Sequence, residues 1–385
     1  MKGLAIHALP IPAILMLFAG CSPSMEISVS NPYEGDRRGE VVEIDAAGIT
    51  GRFGSEFHVS TADGRQLTHQ LTHDGKLLVE ADFPAGTTTR LRIRSGAPAH
   101  ADTVCVGQIR YDFQDDFTWE NDRGGYRLYG PAYRNGGGNV SGYDIWTKSV
   151  TFPVLSQRYH DHCRRGISYH KDHGNGMDAY IVGHTLGAGM NALVDADGNV
   201  CYPCAYEKCE IKDNGPLRTT ALITCYPSVV GPDSGVVERR VITLDKGSWL
   251  NRTVVSYEGL SSPCPIVTGI VIHRQNRHGY VADPSGRFMA YADLTDNPDN
   301  GNGVIYIGTV NKAVPDSVGC IQFGQPQGDA IGELRSHAVY SPGDEYVYFW
   351  GSGWSKGGVP GMQAWESYLA DFHDRLKHPL KITVK

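Results

Sequence analysis

The most regular segment of the chain, residues 236–257, reads VVERRVITLDKGSWLNRTVVSY. Its two halves are rich in β-branched residues, which favour the pleated backbone of a strand. Between the halves, Asp245-Lys246-Gly247 carries the turn-forming Asp and Gly that are typical of a chain reversal. The segment therefore predicts two antiparallel strands joined by a short turn.

Strand-like runs continue on both sides of this hairpin. From residue 103 onward the other candidates are 104–112, 143–152, 178–182, 190–196, 219–226, 266–273, 304–309, 337–340 and 346–350. Only the last segment has helical spacing, because apolar residues beyond Pro360 recur every three or four positions, at Met362, Trp365, Leu369, Phe372 and Leu376. So many strands must stack to bury their apolar faces, and we expect residues 103–385 to form a large antiparallel sandwich with a short C-terminal helix.

Residues 26–97 hold shorter strand candidates separated by turn signals such as Ala62-Asp63-Gly64. These candidates are 40–45, 56–61, 66–72, 76–83 and 87–95. They predict a small antiparallel sandwich, and Ser95–Ala99 is a plausible linker after it. The predicted fold class is therefore all-β, with a small N-terminal β-sandwich followed by a larger one.

The first residues predict export. Lys2 precedes an apolar run from Leu4 to Phe18, and residues 1–20 read as a signal peptide that is too short and too Pro-broken to span a membrane. Cys21 directly follows Ala-Gly, which is the pattern of lipid attachment; a plain signal peptide with a chance cysteine is the alternative. We expect an outer-membrane lipoprotein of the cell envelope. A periplasmic-facing position is favoured over the cell surface, because the following tether lacks an acidic run.

The net charge and the cysteine content limit which partners and which cellular compartment fit this protein. The net charge of −7 argues against a general attraction to nucleic acid. Beyond Cys21 the chain has an even number of cysteines, which permits disulfides in an oxidising compartment. Cys201, Cys204 and Cys209 are close in sequence, and a local disulfide is favoured over zinc because no fourth ligand stands at a zinc-like spacing.

Three motif blocks carry the densest chemistry: Trp119–Ala132, Ser141–Lys148 and Tyr169–Gly183. With Ile242–Arg252 and Gly351–Ser355, they resemble a family of exported Bacteroidetes proteins catalogued as a domain of unknown function. Members of that family occur in pectin- and polysaccharide-utilisation gene clusters and are similar to the galactose-mutarotase-like β-supersandwich. The resemblance implies this fold for residues 103–385 and an oligosaccharide partner, but it implies no particular reaction.

The third block supplies groups for proton transfer. His170, Asp172 and Asp178 flank a glycine-rich loop that leaves room for a sugar ring. Upstream, the cationic run Arg158–Arg165 would suit a uronic-acid carboxylate, because guanidinium groups bind carboxylates through paired hydrogen bonds. The predicted catalytic residues are Glu120, Tyr169, His170, Asp172 and Asp178. The predicted substrate-binding residues are Arg123, Tyr129, Trp146, Lys148, Arg164, Arg165, His273 and Trp354.

Each assignment has a structural alternative. His170 and Asp172 could pair within a turn, Glu120 could belong to a buried salt-linked turn, and Asp144 and Lys148 could pair with each other. The cationic run could be a solvated loop, and the aromatic side chains could belong to the core. Asp172 and Asp178 could instead bind calcium, the one cofactor considered, since this ion takes carboxylate and carbonyl oxygens.

Several reaction classes fit these residues. A lyase acting on uronic-acid glycans would use Arg164 or Arg165 to neutralise the carboxylate and His170 as base. A hydrolase would use Glu120 with Asp172, and an epimerase or mutarotase would pair His170 or His273 with a carboxylate. The non-enzymatic alternative is a lipid-anchored glycan-binding protein. We expect acid–base chemistry on acidic, for example pectic, oligosaccharides, provided that the segments around Trp119, Trp146 and His170 converge in one open cleft.

Overall fold

The structure, a computed structural model, describes residues 24–203 and 205–385. The predicted signal peptide, Cys21 and Cys204 lie outside the described residues. Strands β1 to β8 are Ser24–Ser30, Arg37–Asp45, Phe57–Thr61, Gln66–Leu67, His69–Leu71, Lys76–Phe83, Thr88–Ser95 and Val106–Arg110. Strands β9 to β17 are Asp116–Glu120, Gly125–Leu128, Asp144–Trp146, Ala188–Val194, Val200–Cys201, Tyr206–Asp213, Arg218–Cys225, Ser228–Val230 and Asp233–Asp245. Strands β18 to β26 are Leu250–Glu258, Cys264–His273, Tyr280–Ala282, Phe288–Asp293, Ile305–Asn311, Ser317–Gln327, Ala330–Tyr340, Tyr346–Trp354 and Lys381–Val384.

Helices are few. The α-helices α1 to α4 are Ala47–Phe53, Pro131–Asn135, Leu155–Arg165 and Met362–Lys377, and two 3₁₀ turns cover Arg274–Asn276 and Pro298–Asn300. Among the described residues, no helix has the length and apolar character needed to cross a bilayer.

The small sandwich packs a sheet of order β26-β1-β7-β3-β4 on a sheet of order β2-β6-β5. Its core is separate from the main core and includes Ile27, Val29, Phe57 and Leu91. Its first sheet is completed from the far end of the chain, because β26 pairs with β1. Residues 381–384 thus belong to the small sandwich, whereas the sequence pattern placed them in the domain of residues 103–385. The sequence could not show this, because pairing between strands so far apart in the chain leaves no local pattern.

The large sandwich consists of two facing sheets. One has the order β14-β15-β17-β18-β25-β22-β21-β20, with β16 beside β17, and the other has the order β13-β12-β19-β24-β23. The hairpin predicted at residues 236–257 is present as β17 and β18, with Val241 opposite Val254. Apolar side chains from both sheets, such as Ile270 and Ile307, form the main core. The predicted all-β fold, with a small and a large antiparallel sandwich, is confirmed.

The predicted C-terminal helix is also confirmed, as α4 on the outer face of the larger sheet. Trp365 and Leu369 are buried there. The helix lies so close to β22 that a Cβ added at Gly308 would be 2.6 Å from Leu369 Cδ1. A cavity of about 410 Å³ separates α4 and the turn of the 236–257 hairpin from β2 of the small sandwich.

Charged pairs cross between the two sandwiches beside this cavity. Arg218 lies 2.5 Å from Asp245 in the large sandwich and 2.6 Å from Glu43 in the small one. Lys246 Nζ lies 2.8 Å from Glu80 Oε2. These side chains hold the two sandwiches together, so we assign the cavity to the interface rather than to the functional site.

The structure differs from the sequence pattern in the segment that leads to the site. Residues 155–165 form the helix α3 instead of a loop, and Arg158 and Tyr159 are buried on its inner face. Residues 143–152 contain only the short strand β11, and the strand predicted at 178–182 is absent apart from a single bridge between Asp178 and Trp146. Strand β11 is the edge of a fifth, four-stranded sheet, of order β11-β10-β9-β8, and α3 contacts β9 of this sheet.

Two glycines in the loop before Asp178 provide a test of how tightly this segment packs. Gly174 and Gly176 both have positive φ, of 95° and 105°. A Cβ at Gly174 would meet nothing within 4 Å, whereas one at Gly176 would lie 2.1 Å from the carbonyl oxygen of Thr147.

We predict that Gly174→Ala lowers the free energy of unfolding by about 1–3 kcal/mol, the usual cost of left-handed backbone strain. Gly176→Ala should lower it further, because the Thr147 carbonyl must also move. Chemical denaturation of both variants measures the difference, and equal losses would contradict the close approach at Gly176.

Candidate active site

Arg127 on β10 is the centre of a buried charged cluster. Its Nη2 lies 2.5 Å from Asp144 Oδ2 and 3.1 Å from Asp178 Oδ2, and its side chain is only 8% exposed. Asp144 comes from the neighbouring strand β11, while Asp178 comes from the loop that bridges to Trp146. Two carboxyl groups from distant segments therefore share one guanidinium.

Burial raises the proton affinity of this cluster. Desolvation raises the pKa of Asp144 to about 7 and that of Asp178 to about 6, although Arg127 partly offsets the effect. Burial also raises the pKa of Asp116 on β9 to about 6. Tyr159 donates a hydrogen bond of 3.2 Å to Asp116. Carboxyl groups that exchange protons near neutral pH are typical of functional sites, and here the desolvation and the charged partner are both identified.

Aromatic rings enclose the charges. The rings of Trp146 and Tyr159 are parallel, with centroids 5.0 Å apart, and Tyr169 lies 4.5 Å from Trp146. The Arg127 guanidinium lies 5.3 Å from the Trp146 ring centroid and 4.8 Å from that of Tyr129. These rings keep water away from the shared guanidinium, and they strengthen its electrostatic interactions with the carboxyl groups. Burial raises the pKa of Tyr169 to about 12, so its hydroxyl stays protonated at neutral pH.

His170 connects this buried cluster to solvent. Its side chain is 53% exposed, and its Nδ1 lies 3.0 Å from the carbonyl oxygen of Asp178 and 3.7 Å from the Asp178 carboxylate. A carbonyl oxygen only accepts, so Nδ1 carries the hydrogen and Nε2 of the neutral ring is a proton acceptor. His170 therefore has the surroundings of an accessible general base.

Partly exposed rings surround His170 and Tyr129 at the surface. His162, from α3, stacks on Tyr169 at 4.0 Å and lies 6.4 Å from the His170 ring. Tyr129 lies 4.9 Å from Tyr133. We call the set of Arg127, Asp116, Asp144, Asp178, Trp146, Tyr159, Tyr169 and His170 the Arg127 cluster.

The structure brings some predicted residues into the Arg127 cluster and places others elsewhere. Tyr169, His170 and Asp178 meet as expected, with Tyr129 beside them. Trp146 is also there, but it is fully buried and cannot stack on a sugar. Trp119 lies in the main core against Phe117, and Trp354 is buried with its Nε1 donating to the Asn302 carbonyl. The expected convergence of Trp119, Trp146 and His170 in one open cleft is therefore wrong.

Glu120 and Lys148 are buried together, 2.8 Å apart. Glu120 also accepts hydrogen bonds from the backbone N–H groups of Val154 and Leu155, where α3 begins. These contacts anchor the helix. The pairing of Lys148 with Asp144 that the sequence suggested is wrong, since Lys148 pairs with Glu120 and Asp144 pairs with Arg127.

The remaining predicted residues lie at the surface, except His273, which is buried away from the Arg127 cluster. Asp172 is exposed and accepts from the backbone N–H groups of Gly174 and Gly176, so it shapes the loop. Arg123 lies over the Trp249 ring, while Arg165 pairs with Asp161 on α3 and the neighbouring Arg164 is exposed. His273 is buried beside Asp293, and its ring lies 5.8 Å from that of Tyr180.

The sequence pattern did not single out Arg127, Asp116 or Tyr159, and it included His162 only as a member of the cationic run Arg158–Arg165. A signal was present at Arg127, where the strand-like run Gly125–Leu128 places a charge between Tyr126 and Leu128. It reads equally well as a solvent-facing position, so only the tertiary structure identifies it as buried.

Both carboxylates considered for calcium already have partners within the protein. Asp178 is held by Arg127, and Asp172 by backbone N–H groups. Within residues 24–203 and 205–385, no group of three or more His, Cys, Asp or Glu side chains is arranged to hold a metal ion. In the same ranges Cys201 and Cys209 form no disulfide with each other or with another described cysteine.

Comparison with known proteins gives a family match and distant similarities. The family model described as "Domain of unknown function (DUF4861)" matches residues 29–382. "Uncharacterized protein P7" of Formosa agariphila is 23% identical over 400 residues, which cover 97% of this chain and 98% of that protein.

Two solved structures also match over 94% of this chain. A glycosyl hydrolase family 38 protein from Enterococcus faecalis has 7% identity and a TM-score of 0.45, and an α-mannosidase from Enterococcus faecalis V583 has 8% identity and a TM-score of 0.44. The chain spans about half of each solved chain, 47% and 46% respectively.

The raised pKa values of Asp144 and Asp178 predict a pH-dependent stability. Between about pH 4 and about pH 7 the folded protein binds protons that the unfolded chain has released, so the free energy of unfolding should fall as the pH rises. Asp144→Asn removes one of these carboxyl groups and should make the fall shallower.

Chemical denaturation across this pH range measures the slope. The exposed Asp197→Asn exchange is the control and should leave the slope unchanged. A steeper fall in Asp144→Asn than in the wild type would contradict the proton uptake assigned to this cluster.

Proposed function

The chain belongs to the family described as domain of unknown function (DUF4861), and we propose that it acts on uronic-acid-containing oligosaccharides by acid–base chemistry at the Arg127 cluster. The observation that carries the proposal is the position of His170, whose exposed ring is hydrogen-bonded to the backbone of a buried, charge-sharing aspartate. An accessible base next to carboxyl groups that exchange protons near neutral pH can remove a proton from a sugar and return one to it.

An exposed cation beside the cluster favours an acidic sugar. Arg164 follows His162 closely on α3, and Lys171 is the neighbour of His170; both side chains are exposed and have no ion pair among the described residues. The rings of His162 and His170 lie 6.4 Å apart, and Lys171 stands next to His170 at this surface, whereas Arg164 lies on another face of α3, because helical residues two positions apart do not share a face. A uronate carboxylate would find a cationic partner there, and its neutralisation would acidify the sugar C5–H that a lyase or epimerase removes.

Roles for the other groups follow from their protonation. His170 Nε2 accepts the proton, and the Asp178 carboxylate stabilises the imidazolium that forms. Tyr169 keeps its proton at neutral pH and its ring centroid lies 4.6 Å from that of His170, so it packs beneath the base, and because it is buried it does not face the substrate. The partly exposed Tyr129 and Tyr133 offer faces for a neighbouring sugar.

The second candidate is a glycan-binding protein without catalysis. The Tyr129–Tyr133 pair favours it, because aromatic faces and cations are sufficient for binding. The two functions differ in one measurable respect, since only the enzyme releases new products.

We predict that His170→Ala lowers turnover of oligogalacturonate by a factor of about 100 or more, the usual contribution of a general base, and leaves affinity and melting temperature nearly unchanged. Product chromatography and the ultraviolet absorbance of an unsaturated uronate measure turnover, while calorimetry measures affinity. His160→Ala, which removes another exposed histidine from α3, is the matched control and should keep full activity.

Full activity of His170→Ala would exclude this histidine as the base. Saturable binding by the wild type without any new product would favour the binding protein instead.

We further propose that the protein is an outer-membrane lipoprotein anchored through Cys21, facing the periplasm. The support is the Ala-Gly-Cys sequence at the end of an apolar N-terminal run. We predict that wild-type cells incorporate labelled fatty acid into the protein and that Cys21→Ser abolishes the label, whereas Cys163→Ser keeps it. Protection from protease added to intact cells is expected for the periplasmic face, and rapid digestion would place the protein on the outside.

A further inference from the structure

A second histidine–carboxylate pair lies inside the large sandwich, at the end of β19. His273 Nδ1 is 2.6 Å from Asp293 Oδ2, and both side chains are buried. The other oxygen, Asp293 Oδ1, accepts from the backbone N–H of Thr295 at 2.7 Å. Because the carboxylate accepts, Nδ1 is the donor and Nε2 is left as an acceptor. Among the residues that the structure describes, His273 Nε2 has no hydrogen-bond partner.

Two hydroxyl groups next to this pair share that property. The Tyr180 hydroxyl and Thr295 Oγ1 are buried and have no partner within the described chain. The Tyr180 and His273 rings meet nearly edge to face at 5.8 Å. Asp296 N donates to the Ala179 carbonyl at 3.0 Å, so the segment with Thr295 runs directly beside the segment with Tyr180. The ring contact and the backbone hydrogen bond thus bring the segments that carry these three unpartnered groups next to one another.

Burying several polar groups without hydrogen-bond partners lowers the stability of the folded protein unless a ligand supplies the partners. A buried polar group without a partner costs about 1–3 kcal/mol, and three in adjoining segments are unusual in a native interior. The bare Nε2 requires a donor, while the two hydroxyl groups can donate or accept. An O–H group meets all three requirements.

The charge of the surroundings restricts the ligand further. The negative charges of Asp293, Asp144 and Glu333 act on the Tyr180 hydroxyl. The cation Arg335 is already paired with Glu333 at 2.7 Å. A carboxylate would be repelled here, and a neutral hydroxyl would not. The preference is thus opposite to that of the surface near Lys171.

We propose that His273, Tyr180 and Thr295 form a subsite that binds the hydroxyl edge of a sugar, which rests on the proposed action on oligosaccharides and adds a second point of recognition. Tyr180 follows Asp178 by two residues, so the same loop carries the subsite and one acid of the Arg127 cluster. The adjacent residues Arg274 and Asp296 are exposed, so His273 and Thr295 each lie one residue from the surface, although their polar atoms are buried. His273 thus recognises substrate through Nε2, and Asp293 is a positioning residue that fixes its tautomer.

The test removes single polar atoms. Tyr180→Phe and Thr295→Val delete only the hydroxyl groups, and His273→Asn retains a donor toward Asp293 but lacks the Nε2 acceptor. We predict that each weakens the affinity for trigalacturonate and for neutral galactotriose by about threefold to tenfold, the value of one neutral hydrogen bond. The melting temperatures of the two hydroxyl deletions should stay the same or rise, because no bond within the protein is lost.

Thr309→Val is the matched control, since Thr309 Oγ1 is likewise buried without a partner among the described residues but lies on β22 in the core. It should leave both affinities unchanged. Wild-type affinity in Tyr180→Phe and Thr295→Val would overturn the subsite, and so would a loss of stability in both, since that would reveal partners within the protein.

The two proposals fail separately. If His170→Ala abolishes turnover while the three subsite variants bind like the wild type, the subsite is wrong and the proposed function stands. If the wild type binds galactotriose through these residues but neither binds nor converts trigalacturonate, the subsite stands and the proposed function is wrong.

Discussion

The guanidinium of Arg127, shared between Asp144 and Asp178, is the interaction on which the site depends. One cation cannot fully neutralise two buried carboxylates, so burial leaves the cluster with an unusual affinity for protons. Removing the cation would leave two carboxyl groups in an apolar interior, at a cost of several kcal/mol. The same contact also joins a strand to a loop some fifty positions further along the chain, and thereby fixes where His170 meets the solvent.

Tight backbone contacts hold this loop region in place. Gly187 pairs with Tyr143 across a single bridge, and a Cβ at Gly187 would lie 2.4 Å from the Tyr143 carbonyl oxygen. Tyr143 in turn stacks on Trp350 of the large sheet at 3.9 Å. The irregular segments that carry Asp144 and Asp178 are therefore attached to the rigid core, and a precise arrangement of charged groups needs such support.

The sequence predicts those parts of the structure that depend on local patterns. The β-branched runs of Val236–Tyr257 identify the central hairpin, and the apolar spacing after Pro360 identifies α4. Residues 155–165 gave no such signal, because the helix buries Arg158 along with its few apolar residues. Arg127 and Asp144 could not be identified as buried, since a charge in a strand usually faces water. Their burial depends on Trp146, Tyr159 and Tyr169, which only the tertiary structure brings together.

The pairing of β26 with β1 has a consequence for how the protein is made. Ser24–Ser30 is synthesised long before one of its two neighbours, Lys381–Val384. Until Lys381–Val384 has been synthesised, one side of β1 presents free backbone N–H and C=O groups, the kind of edge to which other strands attach. A stalled or prematurely terminated chain would keep an unpaired edge strand in the sheet that contains β1, and we expect quality-control proteases to attack that sheet first.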